Sequence, residues 1–281
     1  MTQEKYADIY QSWRDAPEAF WAAQATLIDW SKPPETIFQT NESGDRWYVD
    51  GEMNTCYNCV DRHVAAGHGE REALIYDSPM TGRCEKITYA ALQERVECVA
   101  GMLQNHNIGK GDRVIIYMPM IAETAIAALA CARLGAVHSI VFGGFAAAEL
   151  ATRIDDAQPK MIMAASCGLE PGRVIAYKPL IDAAIELAEH KPDHVVMWQR
   201  PEQQAKLSAP RDVDWQSQEQ AARAANLRPA CVAVKATDPL YILYTSGTTG
   251  IPKGVVRDNG GHLVALCWSM KNIYNIAPGE V

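Results

Sequence analysis

The side chains best suited to chemistry lie in one short segment, residues 244–254, which has the sequence YTSGTTGIPKG. Residues 240–244 before it are apolar and rich in aromatic side chains, and they predict a buried strand. The glycines that follow let the backbone approach a ligand closely and turn its N–H groups inward. Serine and threonine hydroxyls add hydrogen-bond donors, and Lys253 adds a mobile positive charge. These groups together suit the binding of a polyphosphate.

Seven residues of this segment are candidates for phosphate binding. They are Thr245, Ser246, Gly247, Thr248, Thr249, Gly250 and Lys253. The spacing is not that of a Walker A loop, because Gly250 is followed by Ile-Pro and Lys253 is followed by glycine. A glycine-rich turn after a strand can also be a plain connector, and this is the structural alternative.

Every position from Tyr244 to Gly254 resembles the signature loop of the adenylate-forming, AMP-binding enzymes, which include acyl-CoA synthetases and luciferases. A match of this length with fixed glycines, a proline and a lysine is specific, so we favour it over the connector. The resemblance implies that residues 245–250 and Lys253 hold the β- and γ-phosphates of ATP and then the departing pyrophosphate. It also implies Mg²⁺, which neutralises phosphate charge in reactions of this kind.

Two further segments are similar to one branch of that family, the short-chain acyl-CoA synthetases. They are residues 50–63 (DGEMNTCYNCVDRH) and 255–274 (VVRDNGGHLVALCWSMKNIY). Both resemble propionyl-CoA synthetases more closely than acetyl-CoA synthetases. The resemblance implies that a short-chain carboxylate, propionate, is activated to an acyl-adenylate and transferred to coenzyme A. An acetate–CoA ligase and a non-catalytic nucleotide-binding module are the alternatives.

Coenzyme A carries a 3′-phosphate and a pyrophosphate, and the resemblance implies two segments that contact it. In acetyl-CoA synthetases, the turn that corresponds to residues 141–145 (VFGGF) lines the coenzyme A site. Residues 170–173 (EPGR) align with a family tetrapeptide that begins and ends with arginine and binds coenzyme A. The implied residues are Phe142, Gly143, Gly144, Glu170, Pro171, Gly172 and Arg173.

The tetrapeptide departs from the family pattern at its first position. Arg173 keeps the final arginine, whose guanidinium can form two hydrogen bonds to a phosphate. Glu170 replaces the first arginine, so the sequence leaves open whether this position contacts coenzyme A. A surface salt bridge is the alternative role for Arg173.

The net charge and the cysteine content of the chain limit which ligands and which cellular compartment are expected. The net charge of −8 argues against general binding to nucleic acid or to an anionic membrane. The first residues are polar, so no export signal is expected, and the eight cysteines are expected to be free thiols in a cytoplasmic protein. The CxxC spacing of Cys56 and Cys59 lacks a second cysteine pair, which favours ordinary packing over a metal site.

Strand and helix patterns alternate from about residue 73 onward. We predict strands at 73–76, 86–88, 113–118, 137–142, 160–164, 194–198 and 240–244, and helices at 89–103, 123–134, 146–157, 180–189 and 215–225. Near-continuous apolar strands between helices predict an α/β fold with a mainly parallel sheet and helices on both faces. By resemblance, this is the N-terminal part of the adenylate-forming enzyme fold.

We predict an N-terminal acyl-CoA synthetase cap segment over residues 1–62 and an AMP-binding domain over residues 63–281. The aromatic residues Trp13, Phe20, Trp21, Trp30 and Trp47 are expected to pack the first segment onto the second. The resemblance stops at the end of the chain, whereas family members continue with the acyl pocket and a mobile C-terminal domain. The chain alone is therefore expected to be inactive, and the remainder of the ligase chain is its expected partner.

Overall fold

The computed structural model describes residues 6–42, 44–245 and 252–280. The helices are α1 (Tyr6–Asp15), α2 (Pro17–Gln24), α3 (Tyr89–Asn105), α4 (Ala122–Leu134), α5 (Ala147–Ala157), α6 (Lys178–Leu187), α7 (Trp215–Ala224) and α8 (Gly260–Asn272). Short 3₁₀ and π-helical turns lie at Ala25–Leu27, Tyr57–Asp61 and Val64–His68. In the described ranges, no helix is both long and apolar enough to cross a lipid bilayer.

The strands alternate with these helices along most of the chain. They are β1 (Phe38–Asn41), β2 (Gly44–Trp47), β3 (Glu52–Met53), β4 (Glu72–Ser78), β5 (Arg83–Thr88), β6 (Arg113–Met118), β7 (Val137–Phe142), β8 (Met161–Ala165), β9 (Cys167–Glu170), β10 (Arg173–Ala176), β11 (His194–Trp198), β12 (Asp212–Asp214), β13 (Val234–Lys235), β14 (Pro239–Thr245) and β15 (Lys253–Asp258).

The main sheet has seven strands in the order β12-β11-β8-β6-β7-β14-β15. All neighbours are parallel except the edge strand β15, which is antiparallel to β14. Strand β8 is buried at every residue and β6 at all but its first, as expected for parallel strands covered on both faces.

Helices cover the sheet in two groups, since α3 packs on α4 and α7, whereas α5 packs on α6. Right-handed crossovers that run in opposite directions along the sheet place α4 and α5 on opposite faces. The predicted mainly parallel sheet with helices on both faces is confirmed.

Local sequence signals explain where several helices begin and end. The hydroxyl of Thr88 accepts a hydrogen bond from the Ala91 amide (3.2 Å) and caps the first turn of α3. The carboxylate of Asp214 caps α7 by accepting from the Ser217 amide (2.8 Å). Helix α4 ends at Gly135, whose φ of 70° is readily adopted by glycine.

The N-terminal segment packs on a second, smaller core. Its buried residues Ile28, Tyr48 and Met53 contact Val234 of β13 and Val264 of α8. Trp21, Trp30 and Trp47 pack against this cluster as expected, and the ring centroid of Phe20 lies 6.0 Å from that of Trp268 in α8. The prediction is wrong for Trp13, which is 39% exposed on α1, a helix without a buried residue. The domain division at residue 62 stays a prediction.

Candidate active site

The described residues Thr245 and Lys253 of the predicted phosphate segment lie at the carboxyl edge of the main sheet. Strands β7 and β14 are parallel neighbours, so their last residues, Phe142 and Thr245, lie at the same edge. Strand β15 begins at Lys253, which pairs with Thr245 at the same edge. In open α/β sheets this edge is where ligands bind.

Two of the seven phosphate candidates belong to the described residues, Thr245 and Lys253. Both are exposed, so the Lys253 ammonium group is not tied into the core. The other five candidates, Ser246, Gly247, Thr248, Thr249 and Gly250, lie outside the described residues. Their role in phosphate binding therefore stays a prediction.

The turn after β7 is held in place by a hydroxyl from the neighbouring strand β6. The Gly144 amide donates to the hydroxyl of Tyr117 (2.9 Å), and this hydroxyl donates to the Phe145 carbonyl (2.8 Å). Burial raises the pKa of Tyr117, which keeps the hydroxyl protonated and able to donate. Gly144 has a φ of 105°, which glycine adopts readily, and the ring of Phe142 is 62% exposed.

One buried tyrosine connects this turn to the β9–β10 hairpin. A Cβ atom at Gly143 would lie 2.4 Å from Cε2 of Tyr177, and one at Gly168 would lie 1.9 Å from its Oη. The Tyr177 ring therefore fits only because both neighbours are glycines. Burial raises the pKa of Tyr177 to about 12, so the ring is neutral. The two predicted coenzyme A segments, 142–144 and 170–173, thus belong to elements that pack on the same side chain.

The tetrapeptide 170–173 forms the exposed tip of the β9–β10 hairpin. Its Pro171–Gly172 pair makes the turn, and Gly172 has a φ of 77°. The Arg173 Nε group donates to Glu170 Oε2 (2.8 Å), and Nη2 contacts the same oxygen. The salt bridge that the sequence left as an alternative therefore forms, whereas a coenzyme A contact stays a prediction. Exposed ion pairs contribute about 0–1 kcal/mol, so a phosphate could compete for Arg173.

Comparison with known proteins assigns the chain to a family. Residues 61–280 match the family described as AMP-binding enzyme, and residues 6–59 match acetyl-coenzyme A synthetase N-terminus. The chain belongs to the AMP-binding enzyme family. Acetoacetyl-CoA synthetase from Streptomyces lividans has the same fold over 99% of this chain and 42% of its own, with a TM-score of 0.87 and 23% identity.

Relatives of this AMP-binding family member include short-chain acyl-CoA synthetases. The propionate–CoA ligase of Escherichia coli is 43% identical over 98% of this chain and 44% of its own length. Human mitochondrial acyl-CoA synthetase short-chain family member 3 is 48% identical over 94% of this chain and 38% of its own length. An uncharacterised protein of Pseudomonas aeruginosa is 54% identical over 94% and 42%. The chain spans about two fifths of the length of these relatives.

This family member also contains a buried cluster that the sequence did not predict. The Sγ atoms of Cys56 and Cys231 and a carboxylate oxygen of Asp61 lie within 4.8 Å of one another. Nη1 of Arg133 lies 2.9 Å from both Asp61 oxygens, so a guanidinium supplies the positive charge that a metal ion would otherwise provide. A hydrogen bond with Cys231, together with burial, raises the pKa of Cys56 well above its usual range. We interpret the cluster as structural.

Sequence reasoning missed Tyr117 and Tyr177. Tyr117 lies within the apolar run of β6, and Tyr177 lies directly before α6. Their positions along the chain give no sign of what they contact, because their partners belong to other elements. The available signal was the pair of adjacent glycines at the end of β7, Gly143 and Gly144. A glycine at a strand end can indicate that another group approaches the backbone closely.

Proposed function

We propose that this chain is the N-terminal portion of an AMP-forming short-chain acid–CoA ligase that acts on propionate. The observation that carries the proposal is the β14–β15 strand pair, which places exposed Thr245 and Lys253 at the ligand edge of the sheet. Similarity to the propionate–CoA ligase of Escherichia coli over 98% of the chain supports propionate as the substrate. ATP, Mg²⁺ and coenzyme A are the proposed ligands.

The proposed chemistry has two steps. A carboxylate oxygen of propionate attacks the α-phosphate of ATP, which forms propionyl-adenylate and releases pyrophosphate. The sulfur of coenzyme A then attacks the acyl carbon, loses its proton, and AMP departs. Residues 245–250 and Lys253 would hold the β- and γ-phosphates, where positive charge stabilises the departing group. Mg²⁺ would neutralise further phosphate charge.

The two candidate segments take different parts in this scheme. The phosphate segment acts in the first step, and the turn at Gly143 and Gly144 with the β9–β10 hairpin would bind coenzyme A in the second. Both segments belong to elements that meet at the carboxyl side of the sheet, so one cleft would serve both steps. We propose that the remainder of the ligase chain supplies the acyl pocket.

Replacing Lys253 with alanine is expected to weaken binding of magnesium tripolyphosphate about tenfold, which corresponds to about 1.4 kcal/mol. The reason is that the ammonium group would contact the phosphates directly and lies exposed at the strand end. Isothermal titration of this chain with magnesium tripolyphosphate and with MgATP measures the effect. Lys235→Ala, at an exposed lysine of β13, is the matched control and is expected to change nothing. Equal affinities for the Lys253 variant and the wild type would contradict the proposed site.

Hydroxamate formation from propionate, ATP, Mg²⁺ and hydroxylamine tests the proposed activity. This chain alone is expected to give only background, because it spans about two fifths of its relatives. The ligase that contains it is expected to give turnover, with a higher kcat/KM for propionate than for acetate. Turnover by the chain alone would refute its proposed incompleteness. A preference for acetate would favour the acetate–CoA ligase alternative.

A further inference from the structure

Helix α5 contacts both candidate ligand segments through a single side chain. The guanidinium carbon of Arg153 lies 5.1 Å from the ring centroid of Phe145 and 5.3 Å from that of Tyr244. Phe145 belongs to the turn after β7, and Tyr244 is the second-to-last residue of β14. One planar cation therefore contacts an aromatic ring next to each segment.

The position of this guanidinium is fixed by its surroundings. Arg153 is only 7% exposed, and its Nη1 group donates to the Glu149 carbonyl (2.5 Å) and to Glu149 Oε2 (3.0 Å). Both acceptors lie one helical turn earlier on α5, so the side chain is held against its own helix. The contacts with the two rings are therefore made from a rigid support.

A second contact fastens α5 to the strands on both sides of the phosphate segment. The hydroxyl of Tyr244 donates to Asp156 Oδ2 (2.5 Å), and burial together with this hydrogen bond raises the pKa of Tyr244. On the following strand, a Cβ atom at Gly254 would lie 3.2 Å from Cε1 of Tyr244 and 3.3 Å from Asp156 Oδ2. The contact between Tyr244 and Asp156 therefore lies close to both strands, β14 and β15.

We propose that Arg153 is a positioning residue that couples the phosphate segment to the turn after β7. A polyphosphate bound beside Thr245 and Lys253 would stabilise the end of β14, and the contacts of Arg153 with the rings of Tyr244 and Phe145 would carry this effect to the turn. A cation–π contact contributes about 0.5–2 kcal/mol, and the planar guanidinium of arginine can also stack on an aromatic ring, as the ammonium of lysine cannot. The inference depends on the proposed function, because it requires a phosphate ligand.

Hydrogen–deuterium exchange with and without saturating magnesium tripolyphosphate tests this coupling in the chain as described. In the wild type, the ligand is expected to slow exchange in peptides over residues 239–258 and, about fivefold, in peptides over 142–147. Arg153→Ala is expected to keep the first effect and to lose the second. Arg153→Lys, which keeps the charge but lacks the planar group, is expected to restore little of it.

Phe145→Leu removes the ring through which Arg153 contacts the turn after β7. The position is 38% exposed, so the change leaves the core intact. Like Arg153→Ala, it is expected to lose the slower exchange over residues 142–147. It tests the coupling even if Arg153→Ala fails to fold. Arg223→Ala on α7, an arginine that pairs with Glu94 at the surface, is the matched control and is expected to behave like the wild type.

The outcomes separate the two proposals. Unchanged exchange over 239–258 in the wild type would refute the proposed function, and with it this inference. Slower exchange over both regions in Arg153→Ala and Phe145→Leu would overturn the role of Arg153 and leave the proposed function standing.

Discussion

Replacing Arg133 with methionine is expected to lower the free energy of unfolding by about 3–5 kcal/mol. The Arg133 side chain is 4% exposed, and its guanidinium lies 2.9 Å from Asp61 and 3.1 Å from Glu97. Its Nε group also donates to the Pro229 carbonyl (2.7 Å). Methionine would fill similar space but would leave Asp61, whose side chain is 11% exposed, without a counter-charge, and Glu97 with Arg228 alone at 3.5 Å. Urea unfolding of the two proteins measures the difference.

Two further variants test this explanation. Arg83→Met removes an exposed arginine that lies 3.6 Å from Glu85, and it is expected to cost less than about 1 kcal/mol. Adding Asp61→Asn to Arg133→Met is expected to recover part of the loss, because one uncompensated carboxylate disappears. Similar losses for Arg133→Met and Arg83→Met would show that the buried cluster is not held by charge pairing.

Replacing Gly168 with alanine is expected to destabilise the protein by about 1–3 kcal/mol and to displace Tyr177. The added methyl group would lie 1.9 Å from the Tyr177 hydroxyl and 2.5 Å from Cζ, which no real Cβ tolerates. Tyr177 is 3% exposed and also packs against Gly143, so its ring cannot move without disturbing the turn after β7. Urea unfolding gives the free energy, and near-ultraviolet circular dichroism reports the changed tyrosine environment.

The control for this variant is Gly109→Ala, since a Cβ atom there meets no described atom within 4 Å. It is expected to leave stability unchanged. In a Tyr177→Ala background, the Gly168 change is expected to cost almost nothing, because the clashing ring is gone. An equal cost in both backgrounds would show that the loss comes from strand β9 itself rather than from the contact.

The elements that carry strong local signals could be predicted from the sequence. The helix predicted at 123–134 is observed as Ala122–Leu134, and the strand predicted at 240–244 as Pro239–Thr245. Apolar periodicity and glycine at the helix end suffice for such elements, because both act over a few residues. The carboxyl edge of the sheet followed from the same patterns, which is why the phosphate segment could be placed there.

Contacts between distant residues could not be predicted in this way. Asp61 and Arg133 are 72 positions apart, and nothing near either residue indicates the other. The hairpin β9–β10 was missed for a different reason. In the sequence, residues 170–173 are interpreted as a ligand motif or as a surface salt bridge, whereas a Pro-Gly pair between apolar runs is also a turn signal.

In the turn after β7, the main-chain hydrogen bonds and the exposed side chain are separate features, because the hydroxyl of Tyr117 holds the main chain. Among the described residues it bonds only to main-chain groups of Gly144 and Phe145, so these hydrogen bonds do not involve the exposed ring of Phe142. The side chain of Phe142, which points away from the core, is therefore free to vary in size or polarity while the amide groups stay in place. The shape and polarity of this surface can therefore change through mutation without loss of the main-chain framework beneath it.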